Sequence, residues 1–192
     1  MSSDPLALVA RVADLLDELG VSFVVGGSFA SSFLGEPRTT VDLDVAVRLS
    51  VEQGEDLLDR AAVDFYVPTQ SAREAIARHD SFNLIHLDGP MKVDVFVLGD
   101  DQLDRWQIER RVRLDLPGFV HGLWITSPID QVLRKLRWFD DGDRRSDRQW
   151  RDVIGILRVQ TTLDRAQLRA DAVVVGLAEL VESALAEADS IG

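Results

Sequence analysis

The sequence predicts an α/β (α+β) fold, in which a mixed sheet flanked by helices over residues 1–127 is followed by a helical part over residues 128–192. Three observations predict it. Short β-branched or alternating runs are interleaved with stretches of helical period through the first part of the chain. After Ser127-Pro128-Ile129-Asp130 the alternation stops and only helical patterns follow. Hydrophobic residues make up 46% of the chain and charged residues 28%, a composition that buries an ordinary globular core.

Taken in order, Leu6, Val9, Val12, Ala13, Leu16 and Leu19 recur at helical spacing, and Gly20 supplies the stop. Residues 21–25 form a short β-branched run, a buried strand. Gly26-Gly27 turns the chain, residues 28–34 make a short helix ended by Gly35, and Glu36-Pro37 breaks the chain. Residues 41–49 alternate Val41, Leu43, Val45 and Val47 against Asp42, Asp44, Ala46 and Arg48, a strand with one apolar face. Residues 52–62 and 72–78 read as helices. Residues 82–87 and 91–98 read as strands joined by the turn Asp88-Gly89-Pro90, and 111–116 with 120–125 as a second hairpin around Pro117-Gly118. Ser127 caps the next helix, with Pro128 at its first position and Asp130 at its positive end; it runs to about Phe139. A charged loop over 140–145, a helix over 147–159 and a mostly helical stretch over 163–188 complete the chain.

Composition excludes several chemistries. The chain has no cysteine, so it forms neither disulfides nor thiolate metal sites. Its three histidines, His79, His86 and His121, are too scattered for a histidine-rich zinc site. No apolar run reaches the length of a membrane span, and no basic segment precedes an apolar stretch at the N-terminus, so no membrane partner and a cytoplasmic location are expected. The net charge of -12 argues against sequence-independent grip on long nucleic acid, which needs many phosphate contacts. The stretch 128–152, with seven basic and six acidic residues, is the only part that is not acidic.

Four features could carry chemistry. Gly26 and Gly27 let the backbone approach a ligand, and Ser28 then opens a helix whose free amides and dipole attract phosphate. Asp42 and Asp44 leave one strand face about 7 Å apart along it. Two carboxylates that close repel unless a cation stands between them, and magnesium takes one or two carboxylates plus substrate phosphates. Asp94 interrupts the apolar strand Lys92-Val93-Asp94-Val95-Phe96; beside the Asp42/Asp44 strand it would bring a third carboxylate to the same place. Arg134, Lys135 and Arg137 lie on one helix, and Arg144, Arg145, Arg148 and Arg151 cluster near the next; Lys135 could neutralise nucleotide phosphates. Each feature alone has a plainer account: a glycine turn, the solvated face of an edge strand, a surface aspartate balanced by Lys92, and arginines paired with Asp140, Asp141, Asp143 and Asp147. Trp138 and Trp150 could stack a base, although their spacing suits helix packing as well.

Taken together, Val25-Gly26-Gly27-Ser28, Asp42-Leu43-Asp44 and Asp94 resemble the signature of the DNA-polymerase-beta-like nucleotidyltransferase superfamily. Within it, Gly26-Gly27-Ser28-Phe29-Ala30 with Arg38-Thr39-Thr40-Val41-Asp42-Leu43-Asp44 is most similar to the nucleotidyltransferases of bacterial abortive-infection and toxin–antitoxin systems. Lys135 in Leu133-Arg134-Lys135-Leu136, and then Arg151-Asp152, match the helical motifs of that branch.

The resemblance implies a polymerase-beta-like core over residues 1–127 that moves a nucleoside monophosphate from a nucleoside triphosphate (NTP) to a hydroxyl acceptor, with Mg2+ or Mn2+ as cofactor. Gly26, Gly27, Ser28 and Arg38 would bind the triphosphate, Asp42, Asp44 and Asp94 the metal. Asp94 would also take the acceptor proton, and Lys135 would offset charge on the leaving pyrophosphate. The acceptor implied is an RNA or tRNA end, with an antitoxin protein as partner. A small-molecule acceptor of antibiotic type suits the acidic surface. In a third account the chain is a silent scaffold whose C-terminal stripe, Val173, Leu177, Leu180, Val181, Ala184 and Leu185, binds a partner, although the same spacing suits intramolecular core.

Overall fold

The computed structural model of the chain describes residues 5–36, 42–119 and 121–191. Helix α1 (Pro5–Glu18) leads into strand β1 (Ser22–Val25), and a glycine turn opens α2 (Gly27–Leu34). Strand β2 (Asp42–Arg48), α3 (Val51–Ala61), β3 (Phe65–Tyr66), α4 (Thr69–Arg78), β4 (Ser81–His86) and β5 (Lys92–Val97) follow. Then come α5 (Gln102–Glu109), β6 (Val112–Leu114) and β7 (Leu123–Ile125). Four helices close the chain: α6 (Pro128–Asp141), α7 (Asp147–Val159), α8 (Arg165–Val174) and α9 (Ala178–Ser190).

The strands form one mixed sheet in the order β3-β4-β5-β2-β1-β7-β6. β2 runs parallel to β5 and antiparallel to β1, so it is an interior strand and not an edge. Its alternation has the physical meaning the sequence suggested. Leu43, Val45 and Val47 are buried, as are Val93, Val95 and Val97 on β5, and they join the side chains of α1, α3 and α4 in one core. Asp42, Asp44 and Asp94 leave the opposite face and are partly exposed. The same core runs on into the C-terminal helices, through Leu133 and Leu136 of α6 and Ile156 of α7 to Leu185 of α9. Each fully buried leucine contributes about 2 kcal/mol of transfer free energy.

Two elements were not legible in the sequence pattern. β3 is only two residues long, too short for periodicity to register. α5 carries its signals in Asp101, whose side chain accepts from Asp104 N, and in the buried Leu103, Trp106 and Gln107. The helical stretch after residue 163 is two helices, because Gly176 takes φ +73° between α8 and α9. The second hairpin is shorter than its apolar runs, pairing only 112–114 with 123–125. The C-terminal stripe is internal core, the plainer of its two readings: Leu177, Leu180, Val181, Ala184 and Leu185 are all buried, and only Val173 of that set lies outside. Among the described residues no helix is long and apolar enough to cross a membrane.

Candidate active site

The glycine turn is fastened to β2 by its backbone. Gly26 N donates to Asp44 O at 3.0 Å, and Ser28 N points at Asp44 Oδ2 at 3.4 Å. Gly27 has φ +57°, and a Cβ there would stand 1.7 Å from Asp44 Oδ2. Only glycine lets the start of α2 and the second carboxylate approach this closely. The free amides of α2 therefore face the acidic strand, where the positive helix end favours anions.

The sheet register sets the carboxylates. Asp44 and Asp94 are partners on the adjacent parallel strands β2 and β5, and Asp42 is the partner of Lys92. Neighbouring strands lie about 4.8 Å apart, so two acids stand side by side and a third follows two residues along. Burial first, and the Asp94 charge second, hold the Asp44 carboxyl above the ordinary carboxylate range; the Ser28 amide and the Lys135 ammonium oppose this. Lys92 Nζ lies 2.9 Å from Asp94 Oδ2, while Asp94 Oδ1 is buried without a hydrogen-bond partner. The balancing of Asp94 by Lys92 that the sequence allowed is thus present, next to the other two acids. Among the described residues, no three His, Cys, Asp or Glu side chains are gathered around one point as they stand. The donor chemistry nonetheless fits a hard divalent cation: all-oxygen donors, crowded like charges, and one buried carboxylate oxygen still lacking a partner.

The helical part closes the site from above. Lys135 is 1% exposed, and its Nζ donates to Asp152 Oδ2 at 2.7 Å and Gln149 Oε1 at 2.9 Å. The pair with Asp152 lets a buried ammonium remain charged beside the carboxylates. Arg148 donates to Ser28 Oγ at 2.7 Å. Gln131, 1% exposed, donates to Gly27 O at 2.7 Å and Ser31 Oγ at 2.9 Å. Gln131, Gln149 and the selection of Arg148 from its neighbours were not visible in the sequence. Four arginines of similar spacing precede or follow Ser146; the fold aims one at the glycine turn and pairs Arg144 with Asp140. Arg134 pairs with Asp104 and donates to Gln107 Oε1, and Arg137 donates to Val175 O. Arg38 lies outside the described residues.

Two clefts meet at Asp44. One, of about 330 Å³, is lined by Gly27, Ser28, Asp42, Asp44, Lys135, Arg148 and Gln149. The other, of about 260 Å³, is lined by Gly26, Asp44, Asp80, Asp101, Asp104, Gln107 and Arg134. Phe96 and Trp138 wall both, with ring centroids 5.5 Å apart. Trp138 is thus at the site, whereas Trp150 packs on Phe139 and donates to Glu187 Oε2 at 2.9 Å. The first cleft joins a helix start to two cations and suits a polyphosphate. The second has an acidic rim.

No model of a known protein family matches the chain, and no curated protein matches it by sequence. Solved structures do match. An antigenic nucleotidyltransferase-like protein from Paracoccidioides brasiliensis is 21% identical, with a TM-score of 0.56 over 96% of this chain and 94% of that one. The lincosamide antibiotic adenylyltransferase LnuA, bound to lincomycin, is 10% identical, with a TM-score of 0.49 over 83% of this chain and 99% of that one. ANT(2'')-Ia in complex with adenylyl-2''-tobramycin is 15% identical, with a TM-score of 0.45 over 96% and 97%. The first of these likenesses establishes the fold: a nucleotidyltransferase-like mixed sheet flanked by helices.

Proposed function

We propose that this chain transfers a nucleoside monophosphate from an NTP to a hydroxyl acceptor, assisted by Mg2+ or Mn2+. One observation carries the proposal. Asp44 and Asp94, fifty residues apart in sequence, are register partners on adjacent strands at the mouth of the Gly26-Gly27 turn. Asp42 and Asp44 line one cleft with the helix start at Gly27-Ser28 and the cations Lys135 and Arg148, and Asp94 stands beside Asp44 on the next strand.

Asp42, Asp44 and Asp94 would hold the divalent cation, which when bound neutralises phosphate oxygens and stabilises charge in the transition state. The α2 amides and Ser28 Oγ bind the triphosphate, and Arg148 turns from Ser28 to a terminal phosphate. Lys135, fixed by Asp152 and Gln149, supplies a charge that costs no reorganisation when pyrophosphate leaves. Asp94 takes the proton of the acceptor hydroxyl as its oxygen bonds to the α-phosphorus and the bond from that phosphorus to the bridging oxygen breaks. Trp138 offers a face to the base.

The acceptor enters from the second cleft. Its rim of Asp80 and Asp101 favours a cationic, hydroxyl-bearing small molecule over an RNA end, whose phosphates it would repel. An RNA end, as the toxin–antitoxin resemblance implies, is the alternative acceptor.

Calorimetry with Mg2+ and a non-hydrolysable NTP tests the site. Asp42→Asn with Asp44→Asn is expected to abolish binding; equal binding before and after would remove the assignment. Transfer of labelled NTP onto polyhydroxylated amines, compared with tRNA, decides the acceptor class.

A further inference from the structure

As its side chain stands, Asp94 has one oxygen engaged by a cation and one without a partner. Oδ1 is shielded from solvent and unpartnered, and Oδ2 is 2.9 Å from Lys92 Nζ. Lys92 sits two residues before Asp94 on the same face of β5 and is the register partner of Asp42. One ammonium therefore faces the acidic groups of two strands. Two like charges at directly opposed positions of a sheet repel, and the ammonium offsets that repulsion. Its side chain is 37% exposed, so the head group can leave for solvent without opening the core.

We propose that Lys92 is a resident counter-ion gate, which keeps Asp94 away from the divalent cation until the metal arriving with the triphosphate displaces it. The gate rests on the nucleotidyl-transfer reading given above. It accounts for a cation held on one oxygen of Asp94 directly beside the opposed Asp44. It also assigns an order: nucleotide and metal enter first, Lys92 swings out, and only then is Asp94 available to the acceptor hydroxyl. An enzyme so built does not present a complete metal site, or a competent base, to water before its nucleotide is bound.

Mn2+ titrated into the full chain without nucleotide, followed by loss of the free-ion EPR signal, reads the gate apart from any activity. Lys92→Met is expected to bind Mn2+ about tenfold tighter than the unaltered chain, since the competing charge within reach of the carboxylates is gone. Lys92→Arg, which keeps a cation on Asp94, is expected to match the unaltered chain. The gain is expected to vanish in Lys92→Met combined with Asp94→Asn. Equal affinity of Lys92→Met and the unaltered chain, with Asp94→Asn weakening both, overturns the gate and leaves the transfer reading standing. Mn2+ binding indifferent to both Asp44→Asn and Asp94→Asn overturns the reading and the gate together. Melting by circular dichroism verifies that Lys92→Met folds; if it does not, Lys92→Gln carries the same comparison.

Discussion

A methyl group on Gly27 would stand 1.7 Å from Oδ2 of Asp44, so the turn that opens α2 and the acid that faces it cannot be varied independently. Gly27→Ala must both enter the left-handed region and push Asp44 aside. The backbone cost alone is about 1–2 kcal/mol. Gly26→Ala is the control, because its Cβ would meet only Gln131 Oε1 at 3.8 Å. Gly27→Ala is expected to lower the melting temperature and abolish NTP binding, whereas Gly26→Ala is expected to fold like the unaltered chain. Equal melting of the two variants would show that the close approach to Asp44 is not structural.

Lys135 is held by Asp152 inside the protein, with side-chain exposures of 1% and 9%. Lys135→Met leaves the Asp152 charge buried without this partner and is expected to cost about 3 kcal/mol. Lys135→Met with Asp152→Leu removes both charges and is expected to recover most of that stability. NTP binding is expected to stay lost in the double variant. Denaturant unfolding and nucleotide calorimetry on the same samples separate the two roles; recovery of binding with stability would reduce Lys135 to a packing residue.

Arg148 touches the glycine turn through Ser28 Oγ and also lines the cleft of Asp42, Asp44 and Lys135. Arg148→Met is expected to weaken binding of a triphosphate about tenfold while leaving a monophosphate nearly unchanged, as a charge-assisted contact to the terminal phosphate requires. Stability is expected to change by less than about 1 kcal/mol. An equal loss for both nucleotides would place Arg148 on the nucleoside side of the cleft.

Asp130 gives the fold a pH signature outside the site. Its side chain is fully buried at the start of α6; Ser127 Oγ is 2.6 Å from Oδ2, and Arg110, shared with Asp171, is 3.6 Å from Oδ1. Burial pushes its carboxyl up, against the Ser127 hydrogen bond and Arg110; the charge of Asp171 adds to the rise, and that of Arg134 opposes it. The native protein therefore keeps this proton at pH values where the unfolded chain, near pKa 3.9, has lost it. Its contribution is complete below the unfolded pKa and is lost as pH rises through the folded one. Asp130→Asn is expected to flatten the fall in unfolding free energy as pH rises from about 4, measured by denaturant titration at successive pH values. An unchanged slope would show that Asp130 ionises in the fold as it does in water.

Much of the fold was legible because it rests on local rules. The alternation of Val41 to Val47 marked β2, and Ser127-Pro128 with Asp130 marked the start of α6, where Ser127 indeed caps. α5 is not legible because its apolar set is short, nor is the break at Gly176, because apolar residues continue on both sides of it. In the site, Asp42, Asp44 and Asp94 were legible as acids interrupting apolar strands. Gln131 was not, since a glutamine on a helix carries no sign of what it will face. Arg148 was one of four equivalent arginines until α7 packed against α2 and aimed it at Ser28.

The sequence by itself determined which residues could form strands and helices, which strand faces were acidic, and that no thiolate could bind a metal. Tertiary structure alone decided that β2 lies inside the sheet beside β5, that Asp44 meets Asp94 in register, and that Lys135 is buried against Asp152. The physical reason is one of range. Periodicity, capping and turn chemistry act over a few residues and are written in neighbours, whereas strand order and register follow from burying whole apolar faces together.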